Sequence, residues 1–336
     1  MAGIKFSISG GLNNDVFGKS LAPIMSFLEK RDEAAVRHQM YSKIFKEVHS
    51  THYGEKYTAL TAMSDFEPTP EGGTIPSMEM QEGFGKTIEN VQWTGKFTVT
   101  KRAMKEGLLI DLQQRPQQFI DAYHRAKENH AAALIGGAIN GLSSMKQGYY
   151  SFDLTSADGR TLFNTAHPSA ISRKTLSQSN SFTNSFSISA LEAVSTEMQN
   201  FRGDQGETLD ISPDTILIPN IGSLKTAVFS ALGADKSPET TNNGYNYGYG
   251  MWNVLVWPAL NKYVSAGTSP WILLDSKYIQ RTNALVFQNR QDLEVDVFMS
   301  PNNKDTEWIG DAVFAGGFID WRGIACGGVS GGTTLS

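Results

Sequence analysis

Residues 66–101 of the chain read FEPTPEGGTIPSMEMQEGFGKTIENVQWTGKFTVTK. The second half of this stretch alternates strictly between apolar and polar side chains. The apolar positions are Val91, Trp93, Phe97 and Val99, and the residues between them are polar or glycine. A period of two is typical of a β-strand that is buried on one face. We therefore predict a long strand over residues 91–100.

The first half of this stretch is predicted to supply the partner strand. Met78 and Met80 share the spacing of two, so residues 76–100 are expected to form a long hairpin. Two strands alone bury too little surface to be stable, so the apolar face needs a cover. A neighbouring subunit is the expected cover, and the tip is expected to set register by charge pairing. The predicted interface residues are Met78, Met80, Glu82, Lys86, Glu89, Trp93, Phe97 and Val99.

The strongest helical pattern in the chain follows this hairpin. Pro116 suits a first helical turn. One face is traced by Ile120, Tyr123, Lys127, Ala131, Leu134, Ala138 and Leu142. Gly136, Gly137 and Gly141 would each cost about 1 kcal/mol relative to alanine inside a helix. We therefore predict that these glycines permit close packing against another part of the backbone, although an ordinary core helix with a frayed end remains the alternative.

The motif DGRTLFNTAHPS, residues 158–169, offers a possible catalytic base in His167. The alternative is a structural turn. Pro168 biases His167 toward an extended backbone, and side chains such as that of Asn164 commonly close turns by bonding nearby backbone groups. We therefore assign Asn164, His167 and Pro168 to a structural turn and predict no catalytic residues.

The composition excludes several classes of protein. The 336 residues carry a net charge of −5, which argues against a dedicated nucleic-acid binder. The single cysteine, Cys326, excludes an internal disulfide and a thiolate metal cluster. His49 and His52 lack a third convergent metal ligand, and we find no phosphate-binding or dinucleotide-binding motif. We expect no cofactor and no metal. No apolar run approaches the roughly 20 residues of a membrane helix.

The rest of the chain mixes helices and short strands in separate groups. A helix near residues 189–201, the strand TILIP at 215–219 and a helix over 223–232 form an α/β unit. Short strands follow at 253–257, 271–275, 284–287 and 293–298, and a closing strand near 312–321 is interrupted by two glycines. The predicted fold class is α+β.

The order of these parts resembles the major capsid proteins of tailed bacteriophages, with the Hong Kong 97-type fold. Local phrases carry the likeness too: DFEPTPEGGTIP (65–76), WTGKFTVTKRAMKEG (93–107), SPDTILIPN (212–220) and GGFIDWRGI (316–324). DGRTLFNTAHPS is similar to a phrase of Mu-type head subunits. The resemblance implies an N-terminal arm and helix (1–55), an extended-loop hairpin (56–110), a peripheral domain with a spine helix (111–190), an axial domain (191–285), and return strands with a C-terminal tail (286–336).

The resemblance implies a structural function rather than an enzymatic one. Hexamers and pentamers of this chain would form the icosahedral head shell around double-stranded DNA, which the protein would contact weakly and non-specifically. A separate scaffolding protein and a portal are expected partners, a decoration protein is a further one, and no membrane is expected. Assembly would take place in the host cytoplasm. The alternatives are an encapsulin-like nanocompartment shell and a hydrolase using His167.

Overall fold

The computed structural model describes residues 5–8, 30, 39–60, 66, 68–75, 77, 82–106, 114–171, 177–233, 248–265, 267–301 and 304–335. Two of the predicted interface residues, Met78 and Met80, lie outside these ranges. Within the predicted N-terminal arm and helix (1–55), residues 5–8, 30 and 39–55 are described.

The described helices and strands separate into two main sheets with helices packed beside them. The strands are β1 (Lys5–Ile8), β2 (Lys46–His49), β3 (Gly54–Leu60), β4 (Glu82–Glu89), β5 (Val91–Val99), β6 (Ser144–Gln147), β7 (Tyr150–Asp153), β8 (His167–Pro168), β9 (Ser177–Gln178), β10 (Thr215–Pro219), β11 (Asn253–Trp257), β12 (Trp271–Leu274), β13 (Leu285–Met299), β14 (Thr306–Phe318) and β15 (Ile324–Gly327). The helices are α1 (Tyr41–Ile44), α2 (Lys101–Glu106), α3 (Arg115–Ile139), α4 (Ile188–Gln199), α5 (Gly222–Leu232) and α6 (Ser276–Thr282), with a 3₁₀ turn at Pro258–Lys262.

The first sheet is built around the long antiparallel pair β13–β14. Its strand order is β1–β13–β14–β5, and β2 also pairs with β13. The two short strands predicted at 284–287 and 293–298 are one continuous strand, β13, with an irregular register between Asn289 and Glu294. The residues between the two predicted strands, 288–292, were left out of both because the irregular register breaks the alternation of apolar and polar side chains.

The helix expected within residues 1–55 does not continue to the end of that segment. The helix α1 stops at Ile44, and β2 then runs parallel to Val286–Asn289 of β13. Pairing with Lys46–His49 gives the backbone N–H and C=O groups on this side of β13 partners that an open strand edge would lack.

The spine helix α3 packs across the first sheet, as its apolar stripe predicted. Its Ile120 lies in one buried cluster with Val99 of β5 and Trp308 of β14. Further along α3, Leu134 and Ala138 are almost completely buried in the main core. The helix ends at Ile139, so Leu142 lies beyond it and is 45% exposed.

The second sheet has the strand order β11–β10–β12–β15. The predicted helix–strand–helix unit is confirmed as α4, β10 and α5, and all five residues of β10 are buried. Because β15 pairs with β12, the end of the chain joins the sheet of the α/β unit. Among the described helices, none combines the length and the apolar character that crossing a membrane requires.

The predicted hairpin pairing is wrong, although both of its regions contain strands. β4 pairs with β3, in register from Gly54↔Glu89 to Leu60↔Glu82. β5 pairs instead with β14 and is an edge of the first sheet. Alternation predicts which face of β5 is buried, but it carries no information about which strand lies beside it.

Candidate assembly surface

The hairpin β3–β4 forms a two-stranded sheet of its own, separate from both main sheets. The segment that joins its strands carries two large apolar side chains in solvent: Phe66 is 93% exposed and Ile75 is 84% exposed. A pair of strands is marginally stable in water unless another surface covers it. Phe66 and Ile75 are not covered by the described part of the subunit.

The base of the hairpin, by contrast, is fixed to its own subunit. Ile88 of β4 is 5% exposed and packs with Val286, Ala315 and Ile319. The hydroxyl of Tyr57 in β3 accepts a hydrogen bond of 3.0 Å from Nε2 of Gln288. These contacts tie both strands of the hairpin to the central pair β13–β14.

Lys86 is a third anchor of the hairpin base. Its side chain is 8% exposed, and its ammonium lies 3.2 Å from Oδ2 of Asp153. It also donates to the backbone carbonyls of Asp153 and Thr155. Burial lowers the pKa of Lys86, and the charge of Asp153 opposes this effect. The expectation that Lys86 reaches a neighbouring subunit is therefore wrong, because its charge is held inside its own.

The two acidic residues predicted at the interface remain on the surface. Glu82 begins β4 and Glu89 ends it, and both are exposed. Glu89 accepts a hydrogen bond of 3.3 Å from the hydroxyl of Tyr53, which is itself 63% exposed. Glu82 lies nearer the tip of the hairpin, so an intersubunit role for it stays a prediction.

The apolar face of β5 is covered by its own subunit, which corrects the predicted interface. Val99 is fully buried. Trp93 stacks on Phe314 of β14 with ring centroids 4.9 Å apart, and Phe97 stacks on Trp308 at 5.7 Å. The prediction failed because the helix that covers this face, α3, and the neighbouring strand β14 both come from distant parts of the same chain.

Two of the three spine glycines lie in close contacts. A Cβ atom added to Gly136 would lie 2.3 Å from Cβ of Tyr263, and one added to Gly137 would lie 2.4 Å from Cδ1 of Leu154. The closely approaching atoms belong to side chains rather than to a crossing backbone. Gly141 does not lie in the helix at all. It follows the helix end with φ of +68°, a conformation that glycine adopts readily.

His167 lies in the interior of the subunit. It is 1% exposed, and its ring stacks on Trp321 with centroids 4.2 Å apart. Nδ1 lies 2.6 Å from Oδ2 of Asp158, and Nε2 lies 3.1 Å from Oδ1 of Asn180. With both ring nitrogens engaged and no exposed surface, His167 is poorly placed to take a proton from a substrate.

The surroundings of this histidine form a buried polar network. Burial opposes ionisation of Asp158, but hydrogen bonds from His167 and Ser156 and from the backbone of Arg160 outweigh it and lower the pKa of Asp158. The amide of Asn180 donates to the carbonyls of Leu162 and Ile324, so the turn is tied to the last strand. Asn164 also closes the turn, because its side chain accepts from the backbone N–H of Ala166.

His130 is a structural residue that the helical pattern did not identify. It is fully buried on α3, its Nδ1 lies 2.6 Å from Oε1 of Gln147, and its Nε2 accepts from the backbone N–H of Gly316 at 3.0 Å. The pairing of β5 with β14 ends at Phe314, and the backbone N–H of Gly316 beyond that point donates to His130 instead of to a strand. Burial lowers the pKa of His130 to about 4. The sequence offered one signal of its burial: His130 lies one helical turn before the apolar Leu134, on the same face of the helix.

The described residues contain no group of three or more potential ligands that could hold a metal ion. The candidate assembly surface consists of the separate β3–β4 hairpin and the contacts that anchor its base.

Comparison with solved structures relates this fold to phage shells. The chain is similar to a structure from Mycobacterium phage Patience, with a TM-score of 0.51, 11% identity, and coverage of 100% of this chain and 95% of that chain. It is also similar to the capsid of the cyanophage P-SCSP1u, with a TM-score of 0.52, 9% identity, and coverage of 89% of this chain and 88% of that chain. At such low identity the likeness shows the fold alone. It agrees with the predicted α+β class and the Hong Kong 97-type fold.

Sequence comparison gives the family. No curated protein sequence matches the chain. The family model described as phage capsid protein matches residues 85–327, which is well over half of the chain. The matched region begins in β4 and includes the spine helix, the whole second sheet, strands β5, β13 and β14 of the first sheet, and the buried turn around His167. The chain therefore belongs to the phage capsid protein family, and it is a major capsid protein of a phage head shell.

Proposed function

We propose that this subunit forms hexamers and pentamers that close into an icosahedral shell around double-stranded DNA. The observation that carries the proposal is the hairpin β3–β4, which leaves its own core and exposes Phe66 and Ile75 at its far end. A free subunit that exposes such side chains is incomplete, whereas a neighbour in a shell would cover them. The family match directs this argument toward a phage head rather than toward a nanocompartment.

The proposed mechanism is assembly through many modest contacts. A fixed hairpin base and an exposed tip would let each subunit reach the next with a defined direction, since Lys86, Ile88 and Tyr57 hold the base. Repetition of weak contacts around a closed shell gives large collective stability. Weak individual contacts also allow a misplaced subunit to dissociate before the shell closes.

The role is proposed to be structural rather than enzymatic. His167 supports this, because the one histidine in a promising motif is buried and fully engaged. We further propose a separate scaffolding protein, a portal and, on the outer surface, a decoration protein as partners. DNA contacts are proposed to be weak, since the chain carries a net charge of −5. We propose that assembly takes place in the host cytoplasm. We also propose that residues 1–55, 56–110, 111–190, 191–285 and 286–336 are the structural domains.

The test is assembly of the purified protein, alone and with the scaffolding protein. Size-exclusion chromatography and negative-stain electron microscopy should show capsomers or shells. Only compact monomers under all conditions would contradict the proposal. Shells that enclose an enzyme instead of DNA, isolated from infected cells, would favour the nanocompartment alternative.

A further inference from the structure

A polar pocket lies where the spine helix ends. Its walls come from the end of α3 with Gly141, from the turn at 161–165, from residues between 265 and 270, from Ser181 and from residues 328–331 near the end of the chain. We call it the spine-end pocket. Its volume is about 530 Å³, and pockets for small molecules typically have about 300–1,000 Å³. It is therefore large enough for a ligand of one or two small rings.

The walls of the spine-end pocket are fixed by hydrogen bonds within the subunit. The side-chain amide of Asn140, at the end of α3, donates to the carbonyl of Tyr263 at 2.7 Å. The side chain of Asn164 closes the turn that forms another wall. The backbone N–H of Val329 donates to the carbonyl of Phe182 at 3.2 Å. Because these segments are already held in place, a ligand would not have to order them on binding.

Ser181 places an unused hydroxyl group in the wall of this pocket. The residue is 6% exposed, and its backbone carbonyl accepts a hydrogen bond of 2.7 Å from the N–H of Thr333. Its side-chain hydroxyl has no hydrogen-bond partner among the described residues. The same holds for the hydroxyls of Thr165 and Ser330, which lie at exposed positions of the wall. A hydroxyl group of a ligand can both donate to and accept from these groups.

The chemistry of the pocket selects against charged ligands. No acidic, basic or histidine residue occurs among the described residues that line it. A carboxylate, a phosphate or an ammonium group would therefore lose water without gaining an opposite charge. The side chains of Ile139 and Val329 add apolar surface to the wall. Hydroxyl groups beside apolar surface match a sugar ring, which carries hydroxyl groups at its rim and C–H groups on its faces.

We infer that the spine-end pocket binds an uncharged saccharide of one or two rings, with the hydroxyl of Ser181 bonded to a hydroxyl of the sugar. The sugar can be a free molecule or the end of a longer polysaccharide, since both present the same terminal rings. The inference goes beyond the proposed assembly function and does not depend on it, because binding is measured on the unassembled full-length subunit.

A panel of sugars tests this inference. The neutral probes are glucose, galactose, mannose and maltose, and the charged probes are glucuronate and glucosamine. Saturation-transfer NMR and calorimetry should show at least one neutral probe bound with a Kd of about 1 mM or below. The charged probes should bind at least about tenfold more weakly. The same neutral sugars, coupled through one end to a resin, distinguish a free ligand from the end of a polysaccharide, and binding in either form supports the inference.

Variants locate the binding in the pocket. Ser181→Ala should weaken it about two- to tenfold, since one hydrogen bond is lost. Thr165→Trp and Ser330→Trp, at exposed positions of the wall, should abolish it by filling the pocket. Ser223→Trp is the matched control at an exposed position of α5 outside the pocket, and it should bind like the parent protein. Circular dichroism verifies that each variant is folded.

Hydrogen exchange supplies a readout that is independent of affinity. The bound sugar should slow exchange at the amides of residues 161–165 and 328–331 in the parent protein and in Ser223→Trp. It should not do so in either variant that fills the pocket. The inference is overturned if no neutral sugar of the panel binds, if the charged probes bind equally well, or if Ser181→Ala and the filled variants bind like the parent protein.

Discussion

Ile88 of β4 lies directly over Gly317 of β14, where a Cβ atom on the glycine would be 2.7 Å from Cδ1 of Ile88. This contact joins the projecting hairpin to the central strands of the subunit. Because Gly317 has no side chain, Ile88 of β4 can approach the central strands this closely.

The first prediction concerns this contact. Gly317→Ala should lower the free energy of unfolding by about 1–3 kcal/mol, because the added methyl group overpacks a buried site. Urea denaturation measures this loss, and faster hydrogen exchange at the β4 amides should accompany it. Gly222→Ala is the matched control, since no atom lies within 4 Å of a Cβ there. Equal stability of the two variants would show that Ile88 is not held by Gly317.

The second prediction concerns the spine helix. Gly137→Leu should reduce stability and soluble yield, because even the first carbon of the new side chain would lie 2.4 Å from Leu154. We expect a cost of about 1–3 kcal/mol, with a value at the upper end if α3 cannot shift. Ala122→Leu is the control on an exposed position of the same helix. If both variants melt like the parent protein, the packing argument is wrong.

The third prediction is a loss of stability in mild acid caused by His130. The pKa of this histidine is lowered to about 4 in the folded protein, against 6.5 in the unfolded chain. Below pH 6.5 the unfolded state therefore binds a proton that the folded state does not bind until about pH 4. The free energy of unfolding should fall by up to about 3 kcal/mol over this interval.

The variant His130→Gln separates this contribution from other titrating groups. It should be less stable than the parent at pH 7, since its amide does not reproduce both hydrogen bonds of the imidazole. Its stability should depend less on pH between 6.5 and 4, as measured by urea denaturation at each pH. An unchanged pH profile in the variant would rule out His130 as the source.

Local patterns allowed the elements themselves to be predicted, but not their partners. The alternation around Trp93 and Phe97 predicted a strand with the correct buried face, because side chains point to opposite sides of a strand in turn. The stripe through Ile120 and Leu134 predicted the spine helix for the analogous reason. Neither pattern indicates which distant segment supplies the cover, and for Phe97 that cover is Trp308.

Lys86 shows why part of the candidate surface was misplaced. A charged residue in a glycine-rich segment is expected in solvent, since burial of a lone charge is costly. For Lys86, the cost of burying the charge is reduced by the carboxylate of Asp153 and by two backbone carbonyl groups, which are 67 and 69 residues away in the chain. Similarly, the partner strand Gly54–Leu60 has few apolar residues, so its pairing with β4 becomes visible only in the fold.

We propose that the hairpin beyond its anchored base is the clamp between subunits. The most direct test replaces residues 61–81 with a short Gly/Ser turn, which preserves β3, β4 and the contacts of Lys86 and Ile88. Circular dichroism and thermal melting should match those of the parent protein, while electron microscopy should show no shells or very few. Normal shells from this folded variant would contradict the claim.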